Sequence, residues 1–209
     1  MVLSLIYQTI VIVLLLTFSF GPAFFALINT GIKHGYKTGS LLAFGVVLSD
    51  FLVCVLIILL VHFGATNLIQ HEKSQRFMGI LAGIVLLIFG AFHFKAPVPK
   101  SSEGSEIKAP SALLMILKGF FLNSLNPTVW LLWLGNVTAV GNTLKYSVFK
   151  MILYFGITLG IVLLVEFGKV SMAGKLKRIL TPQLMHRVNI VTGGLLIVCG
   201  LVLIYNHYF

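Results

Sequence analysis

One acidic side chain, Asp50, lies in the middle of a long apolar run. The run extends from Ser40 to Val61, so Asp50 lies about ten residues from its start, or roughly 15 Å along a helix. If the run crosses a bilayer, the carboxyl group lies near the midplane, where a charge costs about 2.5–3.5 kcal/mol and usually marks a functional site. We predict that Asp50 carries a proton or binds a substrate ammonium group. The alternative is a structural hydrogen bond to a neighbouring helix.

Two proline-containing breaks are the second chemical feature of the sequence. Gly21-Pro22 interrupts the first apolar run, and Asn126-Pro127 interrupts a later one. Proline donates no backbone hydrogen bond, and its ring clashes with the carbonyl four residues earlier, so the Phe18 and Asn123 carbonyls should lack helical partners. Freed carbonyls can accept from an ammonium group, and the half-helix after each break offers its positive end to a carboxylate. The alternative is a packing kink, which membrane helices tolerate.

From these two features we predict a substrate site that the two breaks share across a polar cavity. Its substrate-binding residues are Gly21, Pro22, Asn123, Asn126 and Pro127, and its proton-coupling residue is Asp50. Asn126 is the leading candidate for substrate contact, because an amide can both donate and accept hydrogen bonds. The sequence has no metal-ligand spacing and no nucleophile beside a base, so we predict no metal site, no cofactor and no enzymatic activity.

Three further polar or aromatic residues are given structural roles. Glu166 lies near the end of the fifth apolar run, close to Lys169, and is predicted to form an ion pair at the membrane interface. Trp130 and Trp133 are predicted to belong to an interfacial aromatic belt.

The elements that must position these residues are membrane helices. The chain is 58% hydrophobic and 10% charged, with mean hydropathy +1.05, whereas soluble domains carry about 25% charged residues. Each apolar run should form a helix, since a span must satisfy its own backbone within the bilayer. Six runs have about the length that crosses the hydrocarbon core: Leu3–Thr30, Ser40–Val61, Phe77–Phe94, Ala112–Leu134, Val148–Phe167 and Val188–Tyr205.

The net charge of +10 is explained by membrane topology, so nucleic acid is not an expected partner. Eleven of the 15 Lys and Arg side chains lie on one side of the predicted membrane. The side richer in Lys and Arg is cytoplasmic by the positive-inside rule. With six spans, we predict that both termini lie outside.

The chain divides into two halves of similar design. Residues 1–94 form the first three-helix repeat, residues 95–111 a flexible cytoplasmic linker, and residues 112–209 the second three-helix repeat. Three spans per half require the second half to insert upside down. The predicted fold is therefore an all-α membrane protein of two inverted repeats, with helices one and four broken at Pro22 and Pro127. Inverted repeats with matched breaks are typical of transporter binding sites.

In the order and spacing of these motifs, the chain resembles the LysE/RhtB family of amino-acid exporters over nearly its whole length. The matching residues are Gly21-Pro22, Gly35, Gly39, Gly45, Asp50, and Gly119-Phe120 through Asn126-Pro127. The chain departs from the family at three places. Phe20 replaces the first proline of a Pro-Gly-Pro motif, Thr128 stands where Lys is common, and Gly135-Asn136-Val137 replaces a Pro-containing helix end.

The resemblance implies a multi-pass protein of the bacterial inner membrane that exports an amino acid or related small metabolite. Its expected partners are the amino acid, the proton, the lipid bilayer and further copies of itself, since the family is often oligomeric. One alternative is a metal or other ion exporter on the same scaffold, which would need more intramembrane acids or a His-rich loop. Another is a thiol–disulfide electron carrier, but Cys54 and Cys199 lie in helices two and six, not in helices one and four.

Overall fold

The structure, a computed structural model, describes residues 2–17, 21–63, 110–175 and 182–208, together with residues 76, 80–81, 83–84, 86–88 and 90–91. These residues contain no strand, so the all-helical prediction is confirmed for the described part of the chain. The described residues between 76 and 91 are helical. The other helices are α1 (Val2–Thr17), α2 (Pro22–Phe63), α3 (Ala112–Ser124), α4 (Pro127–Thr143), α5 (Val148–Ser171) and α6 (Pro182–Tyr208).

Several of these helices have the length and composition of membrane spans. Within the described ranges, α2 and α5 are each long and apolar enough to cross a bilayer. Helices α3 and α4 pass the same test as a pair, with a bend of 72° between them. Helix α1 is apolar but shorter, at 16 residues, and residues 18–20 between α1 and α2 are outside the described part.

The apolar runs Leu3–Thr30 and Ser40–Val61 leave the glycine-rich segment Gly31–Gly39 between two predicted helices, but most of this segment is helical. Helix α2 continues through the segment apart from a kink at Gly35, where φ is 79° and ψ is 177°. Glycine adopts this positive φ without steric cost. Beyond the kink the two arms of α2 pack together, since a Cβ atom added to Gly39 would lie 3.1 Å from the Gly31 Cα atom. The glycines therefore allow a tight helical reversal.

The apolar run Ala112–Leu134 predicts that the helix ends near Leu134, but α4 continues to Thr143. Val137 and Val140 explain the difference. They are three residues apart, on one face of a helix, and both are completely buried. Their packing outweighs the low helix propensity of the glycines in this segment.

The chain folds into two compact units. The first comprises Met1–His62 and Glu106–Ile179, and the second comprises Phe63–Ser105 and Leu180–Phe209. Each unit therefore contains segments from both halves of the sequence. In the first unit, the core is formed by apolar side chains of α1, α2, α4 and α5, with Trp133 and Phe155 among the largest completely buried residues.

In the second unit, α6 packs closely on the described helical residues around Gly83 and Gly90. A Cβ atom added to Gly83 would lie 2.8 Å from the Gly200 carbonyl oxygen, and one added to Gly90 would lie 2.9 Å from the Gly193 carbonyl oxygen. Small residues at such crossings let helix backbones approach, as in membrane helix pairs.

Candidate functional site

The starts of α2 and α4 meet inside the first unit. Gly21 immediately precedes α2, and Asn126 is the N-cap residue of α4. A Cβ atom added to Gly21 would lie 2.9 Å from Asn126 Nδ2, so the amide group rests directly on the glycine. The two residues come from segments that are more than a hundred positions apart in the sequence.

The two polar groups of the Asn126 side chain have different roles. Its Oδ1 atom accepts a hydrogen bond from the Thr128 backbone N–H at 3.1 Å, which is the usual bond of an N-cap. Its Nδ2 group is directed at Gly21 and belongs to the lining of the cavity described below. The amide therefore has its donor half at the site, while its acceptor half stabilises α4.

The carbonyl predicted to be free at the second break has a partner. The Asn123 carbonyl accepts a hydrogen bond from the Asn126 N–H at 3.0 Å, so that prediction is wrong. Pro127 cannot donate to it, but the residue before the proline donates instead and tightens the last turn of α3. The corresponding carbonyl at the first break belongs to Phe18, which lies outside the described residues.

The buried carboxylate of Asp50 is held by two uncharged donors. Asn123 Nδ2 donates to Asp50 Oδ1 at 3.0 Å, and Trp133 Nε1 donates to the same oxygen at 2.8 Å. The Asn123 amide also donates to the Val46 carbonyl at 3.2 Å, one helical turn before Asp50. Asp50 is only 3% exposed. Both side-chain bonds leave the second carboxylate oxygen, Oδ2, available for other chemistry.

Two glycines bring α3 close enough to α2 for these bonds to form. A Cβ atom added to Gly45 would overlap the carbonyl group of Ile116, and one added to Gly119 would overlap the carbonyl group of Leu42. The two helices therefore cross backbone to backbone. Any larger residue at either position would separate α3 from the Asp50 carboxylate.

A second charged cluster lies at the end of α1. Lys169 Nζ forms an ion pair with Glu166 Oε1, and the two side chains are 12% and 7% exposed. The same ammonium group donates to the carbonyl of Thr17, the last residue of α1, at 3.2 Å. It also lies 5.1 Å from the ring centroid of Phe24, which is cation–π distance. The predicted ion pair is therefore present, but it is buried in the first unit.

The two clusters line one small cavity of about 30 Å³. This volume is enough for one or two water molecules. The polar part of the lining consists of Gly21, Asp50, Asn123, Asn126, Glu166 and Lys169, and the rest is apolar. Three predicted binding residues, Gly21, Asn123 and Asn126, thus share the cavity with Asp50. Pro22 is exposed and outside this lining, and Pro127 is the first residue of α4.

The sequence reasoning assigned Trp133 the wrong environment. Trp133 is completely buried, donates to Asp50, and packs edge-on against Phe155 with ring centroids 5.4 Å apart. Trp130, by contrast, is 38% exposed and donates to the Ser124 carbonyl at 2.7 Å. The sequence could have indicated this contact, because a buried acid needs hydrogen-bond donors and tryptophan supplies one on an apolar side chain.

Broken helices that meet around a small polar cavity define a class of membrane transporters. The family model described as LysE type translocator matches residues 14–207, and the chain belongs to this family. The resemblance found in the sequence motifs is therefore confirmed. As a member, the chain is a membrane protein that transports, and it is not an enzyme.

A relative in Bacillus subtilis (strain 168) is similar to this chain along nearly its full length. It is named "Putative amino acid efflux protein YcgF" and is 25% identical over 201 residues, which cover 95% of this chain and 94% of the relative. No solved structure matches the chain significantly.

Proposed function

We propose that this chain exports an amino acid or a related small metabolite from the bacterial cytoplasm across the inner membrane, driven by protons moving inward. Membership of the LysE family and the name of the relative support export of an amino acid. The observation that carries proton coupling is the Asp50 carboxylate. It lines the cavity, it lies within a candidate span, and both of its side-chain hydrogen bonds come from uncharged donors.

The hydrogen-bond pattern of Asp50 suits a group that gains and loses a proton. Asn123 and Trp133 both donate to Oδ1, so a proton can occupy Oδ2 while both bonds are kept. Protonation also removes a buried charge and breaks neither of these bonds. Asp50 would take a proton from outside and release it to the cytoplasm as the substrate leaves.

The cavity size indicates which step of transport this conformation represents. A cavity of about 30 Å³ holds water but is too small for an amino acid, so we interpret the conformation as closed. Transport then requires the cavity to widen towards each side of the membrane in turn. We propose that the breaks before α2 and α4 are the hinges for this motion, since helix geometry is already interrupted there.

The proposed mechanism uses two inverted repeats with the linker 95–111 in the cytoplasm and both termini outside. The packing of the first unit supports the repeats, because α1 packs on α5 while α3 packs on α2. Helices α1 and α3 are the first parts of the two broken helices, and each packs on the long helix that follows the break in the other half, α5 or α2.

Reporter fusions test the proposed orientation in the membrane. A reporter that is active only in the periplasm should be active after Phe209 and silent near Gly104, and the reverse result would overturn the orientation.

Exchange by the purified protein in liposomes tests the proposed function. Liposomes would be loaded with each of the twenty standard amino acids in turn, and uptake of the same labelled amino acid would be measured, with protein-free liposomes as the control. We expect exchange above the control for one or a few amino acids. Parallel vesicles with a dye for divalent cations test the ion-exporter alternative. Cation flux without exchange of any amino acid would contradict the proposal.

A further inference from the structure

We propose that Lys169 and Glu166 form an ion pair that the substrate opens, with Lys169 binding the carboxylate of a zwitterionic amino acid and Glu166 binding its ammonium group. This inference rests on the proposed function and deepens it, because it specifies the charges that a substrate must carry.

The location of the pair is the first support. The Lys169 and Glu166 side chains are only 12% and 7% exposed, and both line the cavity that Asp50 and Asn126 also line. A lysine near the end of a membrane helix normally extends its ammonium group to the interface. Here the ammonium group instead contacts Glu166 and the end of α1 inside the first unit. Burial of two charged groups in a polar cavity favours a role in binding.

The hydrogen bonds of Lys169 leave it capacity for another partner. An ammonium group has three donors, and Glu166 and the Thr17 carbonyl take two of them. The Thr17 carbonyl belongs to the last turn of α1, where carbonyl groups lack helical partners. Glu166 neutralises the charge of this ammonium group, and the third donor is left for a substrate carboxylate.

The charges at the site favour a zwitterion over a singly charged ligand. Before binding, the buried ammonium of Lys169 and carboxylate of Glu166 neutralise each other. A zwitterion between them gives each charged group one new opposite partner, so no buried charge is left alone. An amino-acid amide carries the ammonium group only, and it would leave Lys169 without a carboxylate. Because unpaired buried charges are strongly unfavourable, the site should reject the amide.

Competition in the liposome assay tests the inference without any variant. The probes are the amino acid that exchanges best and its primary carboxamide, which keeps the ammonium group and loses the carboxylate charge. We expect the wild-type protein to bind the amino acid about ten- to a hundredfold more tightly than the amide, as for loss of a hydrogen bond to a charged group. Equal inhibition by both would overturn the inference while leaving amino-acid export intact.

Variants then assign the discrimination to the ion pair. Lys169→Gln should reduce the ratio of the two inhibition constants towards one, and Lys169→Arg should preserve it. If Lys169→Gln does not fold, the double variant Glu166→Gln/Lys169→Gln removes both charges, and its ratio of inhibition constants should also fall towards one. Lys175→Gln, which changes an exposed lysine four residues after α5 ends, is the matched control.

The possible outcomes separate this inference from the proposed function. A purely structural role for Lys169 would weaken exchange of both probes equally and leave their ratio unchanged, which would overturn the inference alone. If the wild-type protein exchanges no amino acid, the proposed function fails and the inference fails with it. A collapsed ratio in the glutamine variants, with a normal ratio in Lys169→Arg and Lys175→Gln, would support the assignment.

Discussion

Two polar clusters of the first unit differ in charge. One is an ion pair, and the other is a single carboxylate with uncharged hydrogen-bond donors. At the end of α1, the Lys169 ammonium group is bound by Glu166, so the charges there balance. Near the break between α3 and α4, the carboxylate of Asp50, on α2, is bound by the amide of Asn123 and the indole of Trp133. The first cluster has no net charge while its ion pair is intact. The second can change its charge while both hydrogen bonds remain.

Under the proposed function, this difference gives the two clusters separate roles. Loss of one charge at the ion pair leaves its partner buried and alone, so variants there should reduce folding stability. Loss of the titratable group at Asp50 leaves the hydrogen bonds in place, so variants there should reduce coupling to protons.

Glu166→Gln should have the largest effect on folding. It leaves the Lys169 ammonium group buried without its carboxylate, which costs about 3–5 kcal/mol for a broken buried pair. Unfolding of the purified protein in detergent measures the effect. The double variant Glu166→Gln/Lys169→Gln should recover most of the loss, because no charge is then left alone. Wild-type stability in Glu166→Gln would show that water reaches the pair and that the two clusters do not differ as described.

Gly45→Ala should have an intermediate effect, because the new methyl group would overlap the Ile116 carbonyl and push α3 away from α2. Overpacking of this kind costs about 1–3 kcal/mol. The variant should also weaken transport, since Asn123 would no longer reach Asp50. Gly135→Ala is the control, because a Cβ atom at that position would meet no atom within 4 Å. Equal melting temperatures for the two variants would argue against the close crossing.

Gly21→Ala should affect transport more than folding. The methyl group would lie 2.9 Å from Asn126 Nδ2, which is the movable end of a side chain, so the protein should still fold. Displacement of the amide from the cavity should lower exchange by about ten- to a hundredfold, as small misplacements of binding groups commonly do. Gly156→Ala, where the added atom would meet no neighbour, should exchange like the wild type. Normal exchange in Gly21→Ala would remove Asn126 from the site.

Much of the fold could be predicted from the sequence, because bilayer thickness relates the length of an apolar run directly to a helix. Asp50 could also be identified, since its charge is unusual within such a run. The helix at Val137 and Val140 was missed because glycine and asparagine occur both in loops and at tight helix crossings. Hydropathy gives the length of a run, but the packing of its neighbours decides where the helix ends.

The composition of the site was harder to predict, because it depends on which helix faces meet. Trp133 reaches Asp50 across 83 positions of sequence, and Lys169 reaches Thr17 across 152. No local pattern gives the register between helices so far apart. The sequence indicated that Glu166 and Lys169 would pair, because they share a helix face, but it did not reveal that the pair lies beside the cavity.

The most direct test of the account compares two kinds of transport by Asp50→Asn in liposomes. Asparagine keeps the shape of the side chain and an oxygen that can accept from Asn123 and Trp133, but it cannot titrate. We predict normal folding and continued exchange of the amino acid at equal pH, together with loss of its accumulation against a gradient when a pH difference is imposed. Asp50→Glu should retain part of that accumulation. If Asp50→Asn accumulates the amino acid at the wild-type rate, Asp50 serves only to join α2, α3 and α4, and proton coupling through it is contradicted.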